Sequence, residues 1–442
     1  MKIQLSDHFT LGKLFRFTVP SIVMMIVTSI YGVVDGLFVS NYVGKTPFAA
    51  VNFIFPVIML LGSFGFMFGT GGSALVSLTM GTGDMKRANR LFSLITYVSV
   101  GVGVVISTLG IIFLRPLAAW LGAEGELLDL CVIYGRILLV ANPFFMLQLQ
   151  FQSFFVTAEK PQLGLVDSLI AGGTNMVLDA LFIAILDWGI VGAALATAMS
   201  QVAGGLFPLI YFSRKNSALL RLTGCSFDGK ALLKTCTNGS SELLSNLSMS
   251  LVNMLYNVQL MKYAGENGVA AYGVLMYVNM IFIGTFIGYS IGTAPVFGYH
   301  LGAENHGELR NLRRKSLAII GGFSLAMFAL GQLLAPFLSR IFVSYDGDLM
   351  AMTLRGFRIF SFSFLFAGLA IFGSGFFTAL NNGSVSAAIS FLRTLVFQVA
   401  AILLLPLIWD VDGIWASVVV AELMAAVASL VFMYLLRKRY MY

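Results

Sequence analysis

The chain has 442 residues, of which 58% are hydrophobic and 11% charged, and its mean hydropathy is +0.89. A soluble domain carries about 25% charged residues, so this chain has too little polar surface to coat a water-soluble fold, and a bilayer must serve as its solvent. The net charge of +7 is no nucleic-acid footprint, because the Lys and Arg residues sit in short connections between apolar runs and do not gather on one face.

Twelve apolar runs of roughly 20 residues or more follow one another with short polar breaks. They cover about 14–41, 49–79, 91–114, 128–157, 163–186, 190–212, 232–262, 269–300, 314–342, 353–379, 385–408 and 413–436. The expected fold is therefore an all-α integral membrane protein of twelve transmembrane helices. The first run holds Pro20, Tyr31 and Asp35. Asp35 lies about 19 residues beyond Arg16, or ~28 Å of helix rise, in the outer half of its helix. Pro20 removes one backbone hydrogen bond and is either a first-turn proline or a hinge.

The fourth run carries Gln148, Gln150 and Gln152, which alternate and cannot all face one way; Gln148 and Gln152 are candidates to line a substrate path. The fifth carries Asn175 and Asp179, whose i, i+4 spacing puts both on one face. Asp179 stands ~26 Å from the start of its helix, about as deep as Asp35. Thr197 on the sixth run enters from the opposite side and reaches similar depth after ~12 Å. Two carboxylates, an amide and a hydroxyl are hard oxygen donors. They suit Na⁺, and two close carboxylates can instead hold a proton. An ionisable group at this depth costs at least about 2.5–3.5 kcal/mol on insertion scales and marks an ion or substrate path.

The stretch 213–231 is the longest polar connection and divides residues 1–212 from 232–442, six runs each. Beyond it, Glu242 on the seventh run and Arg393 on the eleventh lie at matching depths of ~12–15 Å. They pair with each other, or Glu242 meets substrate; Glu422 is a third charge, on the twelfth run. Met276 and Tyr277 on the eighth run join Tyr31 as candidates for an adaptable apolar pocket.

Lys and Arg placement gives the orientation. Lys2, Lys13, Arg16, Lys86, Arg87, Arg90, Arg310, Arg313, Arg437, Lys438 and Arg439 fall on one side; Lys45, Arg115, Lys262 and Arg340 fall on the other, with Glu124, Glu126, Asp346, Asp348, Asp410 and Asp412. Both termini are expected in the cytoplasm. The halves also repeat. A shift of 221 residues places Gly71 on Gly292, Gly81 on Gly302 and Gly192 on Gly413. Repeats with an even helix number share one orientation and are related by an axis along the membrane normal.

Other chemistries find no support. Gly44-Lys45-Thr46 ends like a phosphate loop but has Val39 where its first glycine is required. His8, His300 and His306 form no metal-binding pair, and Cys131, Cys225 and Cys236 no ligand spacing. Neither an enzyme nor a bound cofactor is expected. An intramembrane enzyme would need a convergent nucleophile and base, and none is visible.

Taken together the chain resembles the multidrug and toxic compound extrusion (MATE) family over nearly its whole length. The carriers are Pro20 followed fifteen residues later by Asp35, the run VNFIFPVIMLLGSFGFMFGTGGSALVS with GTGDMKRANR after it, Asn175 with Asp179, Thr197 eighteen residues further on, and GTAPVFGYHLGAENHGELRNLRR. The resemblance implies two pseudo-symmetric six-helix bundles in a V around a central cleft. It also implies a cation site at Asp35, Asn175, Asp179 and Thr197, and export of cationic or amphipathic compounds against H⁺ or Na⁺. The expected setting is the inner membrane, as a monomer in contact with lipid and a small-molecule substrate. Some members carry acids midway along helices 7 and 10; here SNLSMSLVN and SFLFAGLAIFG have none, and Glu242 is not at the matching position. A lipid-linked oligosaccharide flippase of the wider superfamily is the alternative. It would need arginines for pyrophosphate, and only Arg136, Arg358 and Arg393 offer themselves.

Overall fold

The computed structural model describes residues 3–343 and 346–442; Lys2 lies outside them. The described chain is built from helices α1 (Leu11–Phe38), α2 (Lys45–Gly81), α3 (Met85–Trp120), α4 (Gly125–Thr157), α5 (Pro161–Asp179), α6 (Gly189–Ser213), α7 (Gly229–Gly302), α8 (His306–Val343), α9 (Gly347–Phe360), α10 (Phe364–Ala379), α11 (Gly383–Phe391), α12 (Phe397–Leu404) and α13 (Pro406–Tyr440). Short polar residues start several of them. Thr10, Asp84, Asp228, Asp346 and Asn382 each accept a backbone N–H of the following first turn, satisfying donors that the helix leaves open.

Among the described residues, eleven helical stretches are long and apolar enough to cross a membrane, against the twelve expected. The difference lies in α7, which runs for 74 residues. Straight, it would extend ~110 Å, far beyond a bilayer core of ~30 Å. It is not straight. Gly265 has φ 62° and ψ −154°, a conformation open to glycine alone at little cost. Around it the two arms fold back on each other. Tyr272 donates its hydroxyl hydrogen to Asn253 Oδ1 at 2.9 Å, and the rings of Tyr256 and Tyr272 stack at 5.3 Å. Residues 253 and 272 would stand ~28 Å apart on an unbroken helix. The expected runs 232–262 and 269–300 are these two arms.

The apolar core falls into three parts. One is drawn from Val39 to Ala198, one from Val252 to Trp415, and the third mixes both halves from Leu5 to Tyr442. The mixed core lies at the end rich in Lys and Arg, called here the basic end. The two separate cores lie at the opposite, acidic end. Halves that share a core at one end and not at the other make a wedge.

Close contacts at the basic end repeat the sequence symmetry. A Cβ on Gly81 would overlap the carbonyl oxygen of Tyr299, and one on Gly302 would overlap that of Leu78. The 221-residue shift that relates Gly81 to Gly302 also relates Leu78 to Tyr299. The contact is therefore reciprocal, as at a two-fold axis.

Candidate functional site

Asp35 and Asp179 both lie near the ends of their helices. Each is followed closely by a wide π-turn, Val39–Val43 after α1 and Ala180–Ile185 after α5, a local irregularity common at functional positions. The two helices are held together below the acids. The Tyr31 ring fills the space that a Cβ on Gly172 would take, so only glycine admits it. Asn175 Nδ2 donates to Thr197 Oγ1 at 3.5 Å, tying α5 to α6.

Asp35 faces Asp179 and Asn175 across the gap between α1 and α5. Asp179 is fully buried and Asn175 nearly so, while Asp35 and Thr197 are half-buried. One oxygen of Asp35 and both of Asp179 are buried without a hydrogen bond among the described residues. Two ionised carboxylates so placed would repel each other with their acceptors unmet. A proton or a small cation between them removes both penalties.

Tyr134 on α4 completes the group and was missed in the sequence. It is 1% exposed, its hydroxyl lies against Thr197, and the charges of both Asp35 and Asp179 act on it. A tyrosine in an apolar run carries no signal of its partner, which only the packing of α4 on α6 supplies.

A cavity of about 670 Å³ lies between α2 and the first arm of α7, lined by Asn52, Phe53 and Pro56 on one side and Asn253, Met254 and Asn257 on the other. Nearer the basic end the same two helices touch, Gly71 against Thr235 and Gly239. The space is thus a wedge that narrows toward that end.

The family model MatE matches the chain in two segments, residues 20–181 and 243–403. The chain belongs to the MatE family. The chain is 24% identical to the multidrug export protein MepA of Staphylococcus aureus (strain MSSA476) over 99% of its own length and 98% of the relative's. It superposes on a crystal structure of MATE in complex with MaL6 with a TM-score of 0.93, at 25% identity and covering 98% of each chain. An outward-facing multidrug resistance MATE family transporter gives 0.92, at 25% identity and covering 98% and 97%.

Other candidate residues of this MatE chain lie elsewhere. Gln148 packs on Gly204 of α6 and Gln152 is 1% exposed, both inside the first half. Met276 packs against the core of the second half, whereas Tyr277 is exposed. Pro20 is the tenth residue of α1, well beyond a first turn. The Glu242–Arg393 pair does not form. Arg393 instead donates to both oxygens of Glu422, with Nε at 2.9 and 3.1 Å and a terminal nitrogen at 2.9 Å. Depth along a helix gave the right level but not the face, and the planar guanidinium fits the carboxylate of α13. Glu242 is half-buried and feels the charge of Arg393 without bonding it.

Proposed function

We propose that the protein is a secondary active exporter that exchanges H⁺ or Na⁺ for a small cationic or amphipathic organic compound. The carrying observation is the pair of facing carboxyls, Asp35 and Asp179, with buried oxygens left unbonded. In this reading Asp35, Asn175, Asp179, Thr197 and Tyr134 bind the coupling ion, and the wedge beside Asn52 and Asn253 admits the substrate. Binding neutralises the site, draws α1 toward α5 and alters how the first half meets the second. Pro20, which leaves one carbonyl of α1 unbonded, is the hinge that takes up the movement.

The reading includes two six-helix lobes, residues 1–212 and 232–442, joined by 213–231. The two arms of α7 count as two crossings, which makes twelve. With the basic end in the cytoplasm, both termini are inside and the wedge opens outward. This matches the conformation named for one of the similar structures. The chain acts as a monomer in the inner membrane, with no cofactor. The flippase alternative loses its support because Arg136 and Arg358 are exposed at separate places and Arg393 is engaged by Glu422.

The test is transport of ethidium, a planar aromatic cation, in proteoliposomes under an imposed pH or Na⁺ gradient. Asp35→Asn and Asp179→Asn are expected to insert and fold but to lose gradient-driven export. Undiminished export in both variants would overturn the mechanism. The gradient that drives the wild type names the ion.

A further inference from the structure

Another buried acid lies in the first half, outside the group just described. Asp167 is on α5, is fully buried, and has no hydrogen bond on either carboxyl oxygen among the described residues. Helices α1, α4 and α6 pack against α5, and no charged side chain on any of them acts on Asp167. A carboxylate so enclosed, with neither partner nor counter-charge, carries a large desolvation penalty that taking up a proton removes.

Its neighbours by level are also polar and unmet. A Cβ on Gly164 would touch Met24 of α1 and Phe155 of α4, which fixes the register of the three helices. Because α4 runs opposite to α5, Gln152, three residues before Phe155, stands level with Asp167, three residues after Gly164. The Asn175–Thr197 bond fixes α6 in the same way and puts Gln201 one turn nearer the basic end, between Asn175 and Asp167. Ser168 Oγ, Gln152 Oε1 and Gln201 Oε1 are all buried without a partner among the described residues. Buried unmet atoms at successive levels are what a short file of water or a passing proton needs.

We propose that Asp167 is a proton-carrying residue of the transport cycle, the inner end of a buried polar column that leads from Asn175 and Asp179 through Gln201 toward the basic end. It rests on the cation-coupled reading and identifies the ion as H⁺. The steps balance. When the helices part at the basic end, the Asp167 O–H bond breaks and water there takes the proton. The carboxylate left behind then receives the proton that the Asp35–Asp179 pair accepted from the opposite side.

Two measurements on the full chain test it. Infrared spectra in lipid should contain a carbonyl stretch of a protonated carboxyl that disappears in Asp167→Asn and persists in Asp35→Asn. Its absence from the wild type at both neutral and mildly acid pH would overturn the proposal. In proteoliposomes, Asp167→Asn should lose ethidium export driven by a pH gradient. Asp167→Leu should melt no lower than the wild type, since it removes unmet acceptors without breaking a bond; a clear drop in melting temperature would mark Asp167 as structural and sink the relay. Normal export by Asp167→Asn with export lost in Asp35→Asn overturns the relay alone. Normal export in both overturns the cation-coupled reading and the relay with it.

Discussion

Arg393 and Glu422 form a two-pronged ion pair whose side chains are 17% and 6% exposed, and such a pair is better judged by what each partner leaves behind than by its own strength. Losing one member strands a buried charge, at a cost of about 3–5 kcal/mol, whereas replacing both with apolar residues of similar volume is often neutral. Arg393→Met should therefore lower the melting temperature in detergent sharply, and Arg393→Met with Glu422→Leu should recover most of the loss. If the double variant melts as low as the single one, the pair is needed for more than its mutual neutralisation. At this scale the sequence is legible where a polar residue interrupts an apolar run. Asp35, Asn175, Asp179 and Thr197 stand out for that reason, and the structure brings them together. Tyr134, Asn253 and the choice of Glu422 over Glu242 were hidden, because a residue's depth follows from counting along its helix while its facing direction depends on how neighbouring helices pack.

Among the elements, the segment before α1 is a strap across the basic end. Leu5 and Phe9 are fully buried. The Leu5 N–H donates to Glu159 Oε1 at 2.8 Å, after α4, and the Phe9 N–H donates to Glu308 Oε1 at 2.9 Å, in the first turn of α8. Glu308 Oε2 also lies 2.6 Å from His8 Nδ1, and Lys315 and Asn311 donate to the Phe9 carbonyl. One short segment thus ties the first half to the second. Glu308→Ala leaves the buried Phe9 N–H without an acceptor, a loss of about 1–3 kcal/mol. It should lower thermal stability and speed proteolysis near residues 4–9, while Glu308→Gln should retain much of the stability. Equal behaviour of the two variants would mean that the acceptor is not what holds the strap. Helix positions were readable from length and hydropathy, which need no tertiary information. The strap was not, because Ile3, Leu5 and Phe9 stand singly among polar neighbours and the burial of Leu5 and Phe9 depends on Glu159 and Glu308, about 150 residues or more away in sequence. The count of α7 as two runs followed from its polar break at residues 263–268, and Gly265 is where the chain turns.

For the whole molecule, the decisive contact is the reciprocal one between Gly81 and Gly302, because it closes the basic end while the two cores at the acidic end stay apart. The glycines are needed there: any side chain on either would strike the opposite backbone, and backbone cannot yield as a flexible side chain does. Overpacking a close contact typically costs about 1–3 kcal/mol. That cost falls only on the state in which the basic end is closed, so the substitution shifts the balance between conformations while leaving each half intact. At the upper figure, the closed state loses a factor of about 100 relative to an open one. Gly302→Leu is accordingly expected to expose the basic end. The measurement uses a chain with Cys131, Cys225 and Cys236 replaced and Ser77→Cys added, since Ser77 is fully buried beside Gly298 in the closed form. A membrane-impermeant maleimide applied from the basic side should label this cysteine much faster in Gly302→Leu than in the parent. Gly81→Leu should act in the same direction, because the two positions are related by the repeat and meet the same obstacle. Faster labelling in one and not the other would break the symmetry argument. Unchanged labelling in both would mean that the glycine contact is packing, and that the basic end opens elsewhere.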